Sequence, residues 1–217
     1  MTPQKTLACT IVVLAVSSSA ALACHDGSPL VLDLNGDGIR TTDVYYPVSF
    51  DLDGDGEADS IAWTDPDTEE GILYLDLDGD GTASSGRELF GDGTLLPDGS
   101  LARHGFEALA VWDDPAMGGN GDGVIDSNDG IFRHLRIWVD SDHDGRSIRR
   151  ETAPLARQHV VSIGLDFEDE PEIDPAHNVH RYRGTFVRRV IRRFGPPYLR
   201  DQAVHDVFFR IVHDHDD

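Results

Sequence analysis

The sequence is short of cysteine, of basic residues and of long apolar runs, and each shortage removes a class of protein. Cysteine occurs only as Cys9 and Cys24. Processing after Ala23 would leave Cys24 alone, so no internal disulfide is expected and a thiolate zinc centre is poorly supported. Eighteen Lys and Arg stand against 40 Asp and Glu, a formal net charge of −22. Nucleic acid is thereby excluded as an expected partner, because phosphate binding is driven by Lys and Arg. The N-terminal apolar run is too short to span a bilayer comfortably, so no transmembrane span is expected. No GxSxG, HExxH, P-loop or catalytic-cysteine context occurs, which leaves no standard hydrolase or nucleotide chemistry.

Residues 1–23 have the layout of a secretory signal peptide. Lys5 supplies the positive start, Leu7 to Val16 the apolar stretch, and Ala21-Leu22-Ala23 the small-x-small cleavage site. The expected location is extracytoplasmic, secreted or periplasmic. Cys24 as the first mature residue resembles a bacterial lipoprotein acylation site, with Ala21 where such sites prefer leucine; a lipid anchor through Cys24 is the accompanying expectation.

What is abundant is carboxylate at alternate positions. Asp51 to Asp59 reads DLDGDGEAD, and unit charges about 4 Å apart repel by roughly 4 kcal/mol per pair at an effective dielectric near 20. Such a loop wants a cation. Calcium fits best, because it takes six to eight oxygens and an EF-hand loop supplies them from positions 1, 3, 5, 7, 9 and 12 with glycine at 6. Asp51, Asp53, Asp55 and Asp59 fall at 1, 3, 5 and 9. The pattern recurs at Asp33, Asn35 and Asp37, with Asp43 downstream; at Asp76, Asp78 and Asp80, with Glu88 one place past position 12; and at Asp140, Asp142 and Asp144, with Glu151 at position 12. A fifth, degraded copy keeps Asn120, Asp122, Asp126 and Asp129, and Asp113 serves as its first position if residues 114–117 loop out. The Asp140 copy is expected to be strongest. In the Asp51 loop position 12 is Ala62, so its last ligand is absent or comes from elsewhere. Magnesium, which demands strict octahedral geometry, is the lesser alternative.

Short apolar runs at Leu30 to Leu32, Tyr46 to Phe50 and Ile72 to Leu75 read as strands entering loops. Phe106 to Trp112 has helical spacing, Ile131 to Leu135 suggests a short exit helix, and Thr152 to Gln158 another despite Pro154. The expected fold class is therefore α+β, with short strands and helices organised around EF-hand-like calcium loops. The expected organisation is a calcium module over 24–158 and a β-rich basic C-terminal segment over 159–217 packing on it. Arginines 181, 183, 188, 189, 192 and 193 form the one basic patch. It reads as internal charge balance or as contact with an anionic surface. Val187, Val190, Ile191 and Phe194 equally suit an amphipathic helix.

Five motifs stand in order: Pro29 to Gly38, Phe50 to Gly56, Gly86 to Gly91 (GRELFG), Gly105 to Leu109 (GFEAL) and Leu135 to Asp140 (LRIWVD). Together they resemble the calcium-dependent self-processing module of bacterial RTX-type secreted proteins. That resemblance implies a calcium-loaded module which, in its processing members, cleaves an Asp-Pro bond ahead of the first loop. Cleavage there uses the aspartate's own carboxyl, and a lysine amine captures the product. Here Ser28 precedes Pro29, and no lysine follows Lys5. The expectation is a non-processing, non-enzymatic relative that folds around several calcium ions. The runner-up is a calcium-activated autoproteolytic module, and a third reading is a calcium-stiffened adhesion or glycan-binding module.

Overall fold

A computed structural model describes residues 27–212, so the signal segment, Cys24 and the tail from His213 lie outside the described residues. It overturns the α+β expectation. The described residues form ten strands, β1 (Leu30–Asp33), β2 (Val48–Phe50), β3 (Asp59–Ile61), β4 (Glu70–Leu75), β5 (Val124–Ile125), β6 (Leu135–Trp138), β7 (Thr152–Pro154), β8 (Val160–Ile173), β9 (Val179–Val190) and β10 (Tyr198–Phe208). Among the described residues the only α-helix is α1 (Gly105–Ala110), followed by two single 3-10 turns. Eight strands form one curled antiparallel sheet in the order β5-β8-β9-β10-β1-β4-β6-β7, while β2 and β3 make a separate hairpin.

Around β1 and β4 the sheet is buried on both faces, which explains the unbroken apolar run of β1. Leu30 and Leu32 face one core with Leu73, Ile137, Phe186 and the helix residues Phe106 and Leu109. Val31 faces the other, with Ile72, Tyr74, Trp138 and the β2-β3 hairpin. A strand covered on both sides has no polar face to alternate with. In the second core Trp63 lies 5.4 Å from Phe50, 5.5 Å from Trp138 and 5.1 Å from Phe209 by ring centroid. Each such ring, fully buried, contributes about 1.5–3 kcal/mol from water exclusion.

The two expected exit helices are absent for identifiable reasons. Residues 131–134 make only a tight turn, with the Leu135 amide donating to the Ile131 carbonyl before β6 begins. Thr152 and Ala153 are taken by the sheet, opposite Trp138 and Ile137. Pro154 has no amide to continue a helical ladder. Helix α1 does form, because His104 caps it by accepting from the Glu107 amide (3.1 Å) and Phe106, Ala108 and Leu109 bury one face. Its Gly105 amide donates to the fully buried Asp206, whose carboxyl burial pushes up to about 7.

The C-terminal strands complete the main sheet: β10 lies between β9 and β1, pairing Leu30 with Asp206 and Leu32 with Val204. The acidic stretch after Phe167 extends β8 to Ile173, and the turn that follows is confined to 174–178. Among the described residues, no helix is long and apolar enough to cross a membrane.

Candidate metal centre

Each acidic loop leaves the end of a strand or helix and closes on itself through hydrogen bonds from its own backbone, two of which recur in most of the loops. The first carboxylate accepts from the amide of the glycine five residues on: Gly38 to Asp33 (2.9 Å), Gly56 to Asp51 (3.1 Å) and Gly145 to Asp140 (3.0 Å). The third position accepts from the fifth, as Asp37 to Asn35, Asp55 to Asp53 and Asp80 to Asp78, all 3.0 Å, and Asp122 to Asn120 at 3.2 Å. These are Asx turns, which the short Asp and Asn side chains form with their own backbone two residues ahead. The fourth and sixth positions are left-handed in every loop. Gly54 and Gly56, for example, have φ of 73° and 98°. Only in the Asp140 loop does a side chain bear that conformation at position four, where His143 has φ 55°.

The fifth loop is built on Asp113. A 3-10 turn at Pro115–Met117 bulges out, and both Gly121 and Gly123 donate to the Asp113 carboxylate at 2.9 Å. Asp113 thus takes the place that Asp33 and Asp51 hold in their loops. Asp129 is buried and accepts from the Asn120 and Asp126 amides, while Asp126 itself caps the turn at Asn128.

Among the described residues, three groups of carboxylates have ligand oxygens all within 4.8 Å of one another: Asp51, Asp53 and Asp55; Asp76, Asp78 and Asp80; and Asp140, Asp142 and Glu151. The closing acids differ sharply. Glu151 is 8% exposed, and neither of its carboxylate oxygens has a hydrogen-bond partner. Burial, then Asp142 and Asp140, push its pKa up. Only the exposed Arg150 approaches, at 3.7 Å. Burial likewise raises Asp140. Glu88 is buried too, but both of its oxygens are occupied, one by the Leu77 amide (3.0 Å) and the other by Ser84 (2.8 and 2.9 Å). Asp144 lies outside the Asp140 group and caps the turn at Arg146.

For the first loop the expected Asp43 is placed elsewhere, capping the turn at Tyr45 (2.8 Å). The acid that faces Asp33 is Glu70, paired with it across β1 and β4. Glu70 is 3% exposed; one oxygen accepts from the Arg40 amide (2.9 Å) and the other has no partner. Burial first, then Asp33 and Asp37, raise its pKa to about 7. Sequence spacing could not find Glu70, because it lies 37 residues from Asp33 and is brought there by strand register. Its one local signal is an acid at the head of an otherwise buried strand. In the Asp51 loop Asp59 begins β3 opposite Phe50. The Gly86 amide and the Arg87 guanidinium hold the backbone carbonyls of Asp51 and Gly54 there.

The fit to a hard divalent cation is chemical. A buried carboxylate without a partner is costly, and in Glu151 and Glu70 the orphaned oxygens sit beside further carboxylates. Oxygen-only donor sets of this kind suit calcium. All thiols lie outside the described residues, and no histidine belongs to the three groups.

Residues 30–190 match the family model described as SPM domain. The chain belongs to that family. It is also 40% identical over 147 residues to the iron-regulated protein FrpA of Neisseria meningitidis serogroup C, an alignment covering 67% of this chain and 13% of the relative. The chain therefore spans a small part of that relative's length.

Proposed function

We propose that this SPM-domain chain is an exported calcium-binding module, structural or interactive in role, whose acidic loops are rigid only when ions occupy them. The observation that carries the reading is the Asp140 loop, where Glu151 holds two buried, unpartnered carboxylate oxygens against Asp140 and Asp142. Asp140, Asp142 and Glu151 would hold one ion; Asp33, Asp37 and Glu70 another; Asp76, Asp78 and Asp80, and Asp51, Asp53 and Asp55, two more. The ion neutralises clustered charge, so that binding free energy becomes folding free energy.

Export rests on the signal-like residues 1–23, and modest calcium affinity would suffice outside the cell, where sites of roughly 10⁻⁴ to 10⁻³ M fill. Acylation of Cys24 belongs to the same proposal. The resemblance to RTX self-processing modules supports a calcium scaffold without the reaction. Ser28 stands where the scissile aspartate is required, and it is buried with its amide donating to Asp92 (2.7 Å).

The test is a calorimetric scan with chelator and with calcium. An ion at about 100 times its dissociation constant stabilises by about 2.7 kcal/mol, or roughly 5–10 °C for a chain of this size. Chelation is expected to lower the melting temperature by at least that amount, and identical scans would refute the reading. Incubation with calcium followed by gel electrophoresis is expected to leave the chain intact; a clean fragment would favour autoproteolysis.

A further inference from the structure

We infer that the turn joining β9 to β10 is a docking element for an anionic phospholipid surface. Between residues 175 and 200 the chain carries seven arginines and no carboxylate, in a protein whose formal net charge is −22. Internal balance accounts for part of this set. Arg181 pairs with Asp169 (3.2 Å), and Arg183 with Glu172 (2.8 Å) and Glu170 (3.3 Å) on the neighbouring strand. Arg188 donates to the carbonyls of Leu34 and Gln158, and Arg200 to that of Gly36. Arg189, Arg192 and Arg193 remain: all are exposed, and among the described residues none is within salt-bridge distance of a carboxylate.

Those three surround an apolar tip. Phe194 is 83% exposed, Ile191 and Leu199 are each 58%, and Tyr198 is 39%. The Arg192 guanidinium lies 4.2 Å from the Tyr198 ring centroid and that of Arg193 5.7 Å from Phe194. Gly195 in the left-handed region, with Pro196 and Pro197, fixes the turn. Its base is anchored, because Arg188 and Gln202 both donate to the Leu34 carbonyl and Arg200 to Gly36 of the first acidic loop. The family match ends at residue 190, so the tip lies beyond the shared region.

A bilayer surface answers both halves of this pattern. Lipid phosphates accept guanidinium hydrogen bonds in pairs, and the headgroup boundary takes an aromatic ring and aliphatic side chains. An acidic soluble partner would satisfy the arginines and leave the tip's apolar side chains in water. Outside residues 175–200 acidic residues outnumber basic ones 40 to 11 (18 less seven), so the tip is the part best able to approach a negative membrane within a Debye length of about 8 Å.

Cosedimentation of the full chain with phosphatidylcholine vesicles, with and without phosphatidylglycerol, tests this in one calcium-containing buffer, so that bridging by calcium is common to every arm. Binding is expected only with phosphatidylglycerol and should weaken as salt rises. R192E combined with R193E should reduce partitioning on the order of 100-fold or more. F194A should reduce it about fivefold with the salt dependence retained. Because these side chains are exposed, the variants should melt as the parent does, separating this result from any failure of the calcium reading. Equal binding to both vesicle types, or none to either, would overturn the proposal. So would double-variant binding equal to the parent's, equally tight binding to soluble polyglutamate, or self-association of the chain that the same variants abolish.

Discussion

The Asp140 and Asp51 loops share one grammar and differ in how they end. Both place aspartates at the first, third and fifth positions, and both close by donating the sixth-position amide back to the first carboxylate. The Asp140 loop then reaches Glu151, a buried acid with no hydrogen-bond partner and only the exposed Arg150 nearby, at 3.7 Å. The Asp51 loop runs into β3, where the twelfth position is Ala62, wholly buried in the aromatic core. A repeated motif therefore specifies a loop shape through Asx turns and left-handed glycines, while the demand for an ion is greatest where a buried acid closes it: Glu151 leaves both oxygens without a hydrogen bond, and the Asp51 loop leaves one, Oδ1 of Asp51. The stronger the burial of that acid, the higher its cost without metal and the larger the return on binding.

Removing Glu151 gives the largest expected difference. Glu151→Gln should weaken the tightest calcium event on the order of 100-fold, because a bidentate carboxylate is replaced by a neutral amide. Titration calorimetry with calcium measures this directly. The same variant should behave oppositely without metal. It deletes a buried charge that has no hydrogen bond and only an exposed arginine 3.7 Å away, and should stabilise the chelated protein by about 1–3 kcal/mol. Equal loss of stability with and without calcium would mean that Glu151 is merely packed, and the contrast between the loops would disappear.

Glu70 extends the comparison to the first loop and gives it a pH signature. Its folded pKa, about 7, lies above the ordinary value of 4.5. The native state therefore holds more protons than the unfolded one between those values. Metal-free stability should accordingly fall as pH rises from about 4.5 to 7 and level off above, by an amount of the order of 3 kcal/mol. Calcium competes with the same proton, so affinity at this loop should drop as pH falls below 7. Chemical denaturation in chelator across that range should show a slope that Glu70→Gln reduces, the remainder including that of Asp206, which burial also raises to about 7.

How much of this was legible in the sequence follows from range. The loops are local, since a DxDxDG run dictates its own turns, and Leu30 to Leu32 and Ile72 to Leu75 announced strands of the main sheet, while Tyr46 to Phe50 announced one of the separate hairpin. The exit helices after the fourth and fifth loops were misread because helical spacing over five to seven residues is overridden when a strand such as β6 offers a partner to Thr152 and Ala153. Glu70 was invisible because strand register, not spacing, carries it to Asp33. The hairpin tip was ambiguous, since Val187, Val190, Ile191 and Phe194 fit both periods. Pairing of Val190 with Tyr198 decides for strand, leaving Ile191 and Phe194 in solvent.

The smallest expected effect is the most discriminating control. Glu57 is an acid in the Asp51 loop at the seventh position, exposed, with its amide rather than its carboxylate engaged, donating to Asp55 (2.7 Å). An EF-hand takes a backbone carbonyl at that position, so Glu57→Gln leaves the donor set intact and alters only the screened field around it. Calcium affinity should change by less than about twofold, within the range of one exposed charge. If Glu57→Gln weakened binding as much as Glu151→Gln, net acidity would govern these loops, and the buried closing acid would lose its special place.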